Sequence, residues 1–134
     1  MNGTREFRYR WRFDAKPLVR DAMRILHDTE VARVLSDIDS HEWSDEIRKD
    51  ISDASFDEVA AQLDAAGVSR DQGVYVFWQR PVPAIGVAIT FGQFRDNWDD
   101  FWYPSSDDAM LVDESMSALI RFDHEERLAI SRRT

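Results

Sequence analysis

Gly73-Val74-Tyr75-Val76-Phe77-Trp78 and, across Pro81 and Pro83, Ile85-Gly86-Val87-Ala88-Ile89-Thr90-Phe91 decide how this chain folds. The first run is continuously apolar from Val74 to Trp78, the pattern of a central strand covered on both faces. The prolines end it, since proline offers no amide donor to a ladder. In the second run Ile85, Val87, Ile89 and Phe91 alternate with Gly86, Ala88 and Thr90. That is a strand with one bulky face and one face of small side chains, against which a helix or a neighbouring backbone can lie close.

Downstream, Met110 to Val112, Leu119 to Phe122 and Leu128 to Ile130 read as three closing strands, the last two joined by Asp123-His124-Glu125-Glu126-Arg127. Tyr103-Pro104-Ser105-Ser106-Asp107-Asp108 has turn chemistry. Upstream the period lengthens. Pro17 suits a first helical turn, and Leu18, Ala22, Ile25 and Leu26, then Val31, Val34, Leu35 and Ile38, recur at steps of three and four. One long helix or two shorter ones, interrupted at His27-Asp28-Thr29-Glu30, satisfy this pattern equally. Trp43, Ile47 and Ile51 predict a short third helix carrying Asp45, Glu46, Asp50 and Asp53. Ser55-Phe56-Asp57-Glu58 fits a capping box, and Phe56, Val59, Ala60 and Leu63 form the stripe of a helix running up to Gly67. At the N-terminal end, Phe7, Tyr9, Trp11 and Phe13 alternate with Arg8, Arg10 and Arg12, which predicts a strand whose arginine face pairs with acids of its own chain.

Helices early and strands late, without βαβ alternation, point to an α+β fold: a mainly antiparallel sheet with the N-terminal helices packed on one face and the other face open. With 134 residues and no linker or repeat, residues 1–134 are expected to form a single domain.

The chain carries 17 basic and 26 acidic residues, a net charge of -9, and no cysteine. This balance disfavours DNA, RNA or an anionic membrane as partner, and favours a positively charged protein. Without cysteine there is no disulfide framework, thiolate nucleophile or thiolate-bound metal. The charge is uneven: residues 1–26 sum to +4, 27–72 to -9 and 73–134 to -4. No apolar stretch follows the N-terminal residues and none reaches the length of a membrane span, so a cytoplasmic protein is expected.

Catalytic patterns are missing. There is no Gly-x-Ser-x-Gly elbow, His41-Glu42 lacks the second histidine of a zinc helix, and the five glycines form no phosphate-binding loop. Asp123-His124-Glu125-Glu126 holds metal-compatible donors, but four neighbours in a turn do not converge on one ion. The expectation is no enzyme, no cofactor and no metal.

The densest signal is Phe91-Gly-Gln-Phe-Arg-Asp-Asn-Trp-Asp-Asp-Phe-Trp-Tyr103, six aromatics threaded with three aspartates. Rigid aromatic area beside fixed negative charge suits a recognition surface, the alternative being a cluster packed beneath a loop. The expected contact patch is Trp98, Asp99, Asp100, Trp102, Tyr103, Asp107 and Asp108. A competing patch lies on the acidic segment at Asp45, Glu46, Asp50 and Asp57.

Through Asp99-Asp100-Phe101-Trp102-Tyr103-Pro104-Ser105-Ser106-Asp107-Asp108 and the late Asp123-His124-Glu125-Glu126, the chain resembles small acidic bacterial immunity proteins of polymorphic or contact-dependent toxin systems. The resemblance covers the last third to half of the chain. It implies an inhibitor that binds a cognate toxin, such as a nuclease, and covers or distorts its active site. Residue patterning separately asks for a basic protein partner. Two other readings stand beside it: a small-molecule enzyme or ligand-binding domain using the carboxylates of the 99–108 segment, and a subunit that self-associates into a homodimer through its aromatic patch.

Overall fold

The computed structural model describes residues 7–80, 83–104 and 106–134. Seven strands, β1 (Arg24–Ile25), β2 (Trp43–Asp50), β3 (Gly73–Trp78), β4 (Ile85–Thr90), β5 (Ala109–Asp113), β6 (Ala118–Phe122) and β7 (Arg127–Arg133), form one sheet ordered β1-β4-β3-β5-β6-β7-β2. Every neighbouring pair is antiparallel. The 73–91 reading holds: β3 lies inside the sheet, and Gly86 is paired opposite Phe77. A Cβ on Gly86 would come within 2.7 Å of the Phe77 ring, so glycine is what lets that ring lie flat on the sheet. Of the prolines expected to end β3, Pro81 lies outside the described residues, as does Ser105 of the later turn.

Alternation along β3 separates two cores. Val74, Val76 and Trp78 face one cluster, whereas Phe77 and the half-buried Tyr75 face the other. The helices α1 (Pro17–Ala22), α2 (Asp28–Asp39), α3 (Phe56–Asp64), α4 (Phe91–Asp96) and α5 (Trp98–Phe101) divide between them. The 3₁₀ turn Arg10–Phe13 and helices α1, α3, α4 and α5 cover the larger cluster through Phe13, Val19, Val59, Leu63, Phe94 and Phe101. Helix α2 alone covers the smaller one, through Val31, Val34 and Ile38. The fold is thus α+β around an antiparallel sheet, with helices on both faces. Twelve residues of helix are only about 18 Å long, too short to cover a seven-stranded face. The expectation of helices on one face and an open second face is corrected in that α2 occupies the second face, of which only part is left bare.

Two helices, α1 and α2, replace the one-or-two ambiguity, and β1 lies between them. Glu30 closes the start of α2 by accepting the His27 backbone N–H at 3.4 Å. The capping box of α3 forms as the sequence predicts: Ser55 Oγ accepts from the Glu58 N–H at 3.2 Å, and Glu58 accepts from the Ser55 N–H at 3.4 Å.

Three local expectations are corrected. Residues 7–13 form a turn and a 3₁₀ helix, not a strand, because Phe7 and Phe13 both reach the core while Arg12 turns inward to a buried partner. Residues 43–50 form edge strand β2, not a helix, because β7 supplies its ladder. A bulge between Asp45 and Ile47 explains the misleading period: Trp43 packs on the α2 side and Ile47 on the other. Phe91 leaves β4 to begin α4, where Thr90 Oγ1 caps the helix by accepting the Gln93 N–H at 3.3 Å.

Candidate protein-binding surface

The layer formed by the 3₁₀ turn, α1, α5 and the start of α3 is organised by one buried ion pair. Arg12 donates to Asp107 through both terminal nitrogens, Nη1 at 2.6 Å and Nη2 at 3.2 Å. The guanidinium carbon lies 3.7 Å from the Tyr103 ring centroid and 4.1 Å from that of Tyr9, so the cation is held between two aromatic faces. Asp107 also accepts the Tyr103 N–H at 2.9 Å. An acid expected on the surface is therefore committed inside, and the expectation that the N-terminal arginines pair within the chain holds for Arg12. With Arg12 and Phe13 drawn inward, the tight turn leaves Trp11 outside, 59% exposed, its ring 6.0 Å from Tyr103 in an edge contact.

The aromatic segment is main core. Trp98 is 7% and Trp102 3% exposed, Trp98 stacking on Phe122 of β6 and Trp102 packing against the same ring at a tilt. Each indole N–H is satisfied, Trp98 donating to the Phe56 carbonyl at 3.2 Å and Trp102 to the Asp107 carbonyl at 3.1 Å. Trp98, Trp102 and Asp107 are consequently not contact residues in this structure, because burying their apolar area and charge is what seats α5. Their neighbours stay outside. Asp99 is exposed, Asp100 pairs with Lys16, and Tyr103 is half-buried. Asp108 lies elsewhere, accepting from the His124 backbone N–H and contacting its Nδ1, both at 2.9 Å. Burial pushes the Asp108 carboxyl upward, but these His124 contacts and Arg80 outweigh it and hold it below the ordinary range.

The competing acids are also dispersed. Asp45 meets Ser131, Arg121 and Arg48 on the sheet, with the Ser131 hydroxyl the chief reason its carboxyl sits low. Glu46 pairs with Arg132, and Asp50 accepts from Ser52, which lowers its pKa. Asp57 alone of this set reaches the helical layer, in the first turn of α3. There Phe56 stacks on Trp98 with ring centroids 5.5 Å apart, which brings the start of α3 against the start of α5.

What emerges is a surface carrying Trp11, Leu18 (85% exposed) and Phe56, with Asp14, Asp57 and Asp99 exposed around them. They lie on or at the end of the 3₁₀ turn, α1, α3 and α5, which pack on the same face of the sheet. Isolated exposed apolar residues are ordinary; several large ones among fixed acids on one face suit a partner with apolar pockets and a basic rim. Sequence reasoning missed these anchors. Leu18 carried a signal, since it precedes Val19 in a six-residue helix that can bury only one of them. Trp11 carried none, because period two assigned it to the core.

The chain matches no family model, no curated protein and no solved structure. Among the described residues, no helix is long and apolar enough to cross a membrane.

Proposed function

We propose that this protein is a noncatalytic inhibitor that binds a basic protein, a bacterial toxin domain cognate to it, in the cytoplasm. The observation that carries the reading is the exposure of Trp11, Leu18 and Phe56 beside Asp14, Asp57 and Asp99 on one helical layer. Large apolar anchors supply affinity when a partner desolvates them, and the surrounding carboxylates steer and orient a positively charged surface. The likeness in size, charge and C-terminal pattern to immunity proteins supports the same reading.

The test is calorimetric titration with the basic toxin-like domain encoded beside this chain. Wild type is expected to bind stoichiometrically in the nanomolar range. Trp11→Ala should weaken binding by at least about 30-fold, the effect of losing an anchor worth 2 kcal/mol. Asp99→Lys should mainly slow association and flatten its salt dependence. Tight binding unchanged in both variants would move the contact away from this surface. No binding, together with a mass that rises with protein concentration, would make the exposed apolar residues a homodimer contact instead.

A further inference from the structure

On the opposite face of the sheet, beyond the reach of α2, the bare ends of β5, β6, β7 and β2, with Gln79 and Arg80 just past β3, line an open groove of about 720 Å³. On this face four arginines, Arg48, Arg80, Arg121 and Arg127, stand with three aspartates, Asp50, Asp108 and Asp123, against the sign of the whole molecule. Its floor has a small residue at the centre. Ala129 of β7 is paired with Arg121 of β6 on one side and Arg48 of β2 on the other. Strands lie about 4.8 Å apart, so these two arginines rise roughly 10 Å from one another across an alanine methyl. Arg127, two residues before Ala129 on the same strand, rises from the same face.

Arg127 donates from Nε to Asp123 at 3.2 Å and from Nη2 to Glu125 at 2.6 Å, which leaves Nη1, and the other cations also have donors left over. Arg121 uses only Nη2, toward Asp45 at 2.9 Å and Ser131 at 3.4 Å. Arg48 lies 3.2 Å from Asp45 and Arg80 lies 4.0 Å from Asp108, and neither guanidinium makes a hydrogen bond among the described residues. Arg48 is 77% exposed. The uncommitted N–H groups face water, so they cost nothing while empty and are free to exchange water for an anion's oxygens.

From this arrangement we infer that the groove binds a small phosphate-bearing anion over Ala129, held by Arg121, Arg48 and Arg127. Three guanidinium groups rising from three directions match the non-coplanar oxygens of a phosphate better than the flat pair of a carboxylate. The groove has the volume of a small-molecule site but a polar lining, which suits a hydrophilic ligand. Asp45, between Arg121 and Arg48, and Asp123 and Glu125, beside Arg127, offset part of this positive charge, and the anion is held by the donors they leave unused.

Calorimetric titration of the intact protein with inorganic pyrophosphate tests this, with sodium chloride of matched ionic strength and citrate as comparisons. Pyrophosphate is expected to bind with a dissociation constant below about 1 mM. Arg121→Gln and Arg48→Gln should each weaken it about tenfold, the usual loss for one charge-assisted contact. Ala129→Glu, which removes no cation, should abolish binding. Arg48 is so exposed that its variant remains folded, which keeps the test decisive if either of the others does not fold. The inference is overturned if no heat is seen at about 10 mM pyrophosphate, ten times that dissociation constant. It is overturned equally if sodium chloride reproduces the heat, if both arginine variants bind like wild type, or if citrate binds as tightly as pyrophosphate. The toxin titration addresses the other face, so either result can fail without the other.

Discussion

Asp107 and Arg12 show how one long-range pair reassigns a whole segment. Their side chains are 2% and 3% exposed respectively, so each charge relies on the other for what water would have supplied. Removing one partner strands its mate in the core. Asp107→Ala or Arg12→Ala is therefore expected to cost about 3–5 kcal/mol in urea unfolding, while Arg12→Met combined with Asp107→Leu should recover much of it. A double variant as unstable as the sum of the singles would show that the tyrosine stacking, rather than the ion pair, holds the turn. The residues in the aromatic run were recognisable as special from sequence, but their side was not. Trp98 and Trp102 had the composition of both a core and an interface. Only the presence of Phe122 beneath them decided between the two.

At the scale of elements, β2 is the instructive case. Its charged side chains blunt an otherwise pairable edge, since Asp45, Glu46, Arg48, Lys49 and Asp50 leave little for a second chain to join. The bulge at Asp45/Ile47 lets one strand serve both cores, with Trp43 donating its indole N–H to the Ile38 carbonyl of α2 at 2.9 Å. Inserting one alanine between Trp43 and Ser44, a second extra residue, should turn either Trp43 or Ile47 to the wrong face. The expected loss exceeds about 2 kcal/mol, as for a displaced large apolar group, whereas Glu46→Ala removes only an exposed pair worth at most about 1 kcal/mol. Similar midpoints for both variants in a urea titration would mean that the bulge carries no register information. Helix α3 lies at the other extreme: its serine, its glutamate and the stripe of Val59, Ala60 and Leu63 are local and were readable before any tertiary contact was known, whereas Phe56, expected in that stripe, is 37% exposed.

For the molecule as a whole, two opposing effects set the acid response. Net charge of -9 repels itself at neutral pH, and that repulsion fades as pH falls toward the isoelectric point near 4.7. Against this, Asp45, Asp96, Asp108 and Asp113 are all held below the ordinary aspartate value of 3.8. At Asp113 burial pushes upward, but donors from Ser117, Ala118 and Ser115 prevail. A carboxyl lowered on folding stabilises the fold above its unfolded pKa, and that contribution disappears as pH drops through the folded value. Thermal midpoints should accordingly hold or rise from pH 7 to about 5 and fall steeply below about 4, and Asp113→Asn should make the acid limb shallower. A midpoint that declines evenly from pH 7 downward would show that repulsion is negligible and that these carboxylates do not control the acid limb.

The amino-acid sequence by itself determined the antiparallel strands from Gly73 onward, helix α3, the acidic balance and the α+β class, because each rests on periodicity or on contacts within a few residues. Tertiary structure alone decided the rest. Arg12 finds Asp107 across 95 positions, and Asp45 finds Ser131 across 86. Helices fall on both faces because β3 buries both of its sides. The arginine groove exists only because strand order places β6, β7 and β2 together beyond the end of a short helix. Local patterns say how a side chain repeats along its own element, whereas burial and charge pairing depend on what the fold sets opposite it.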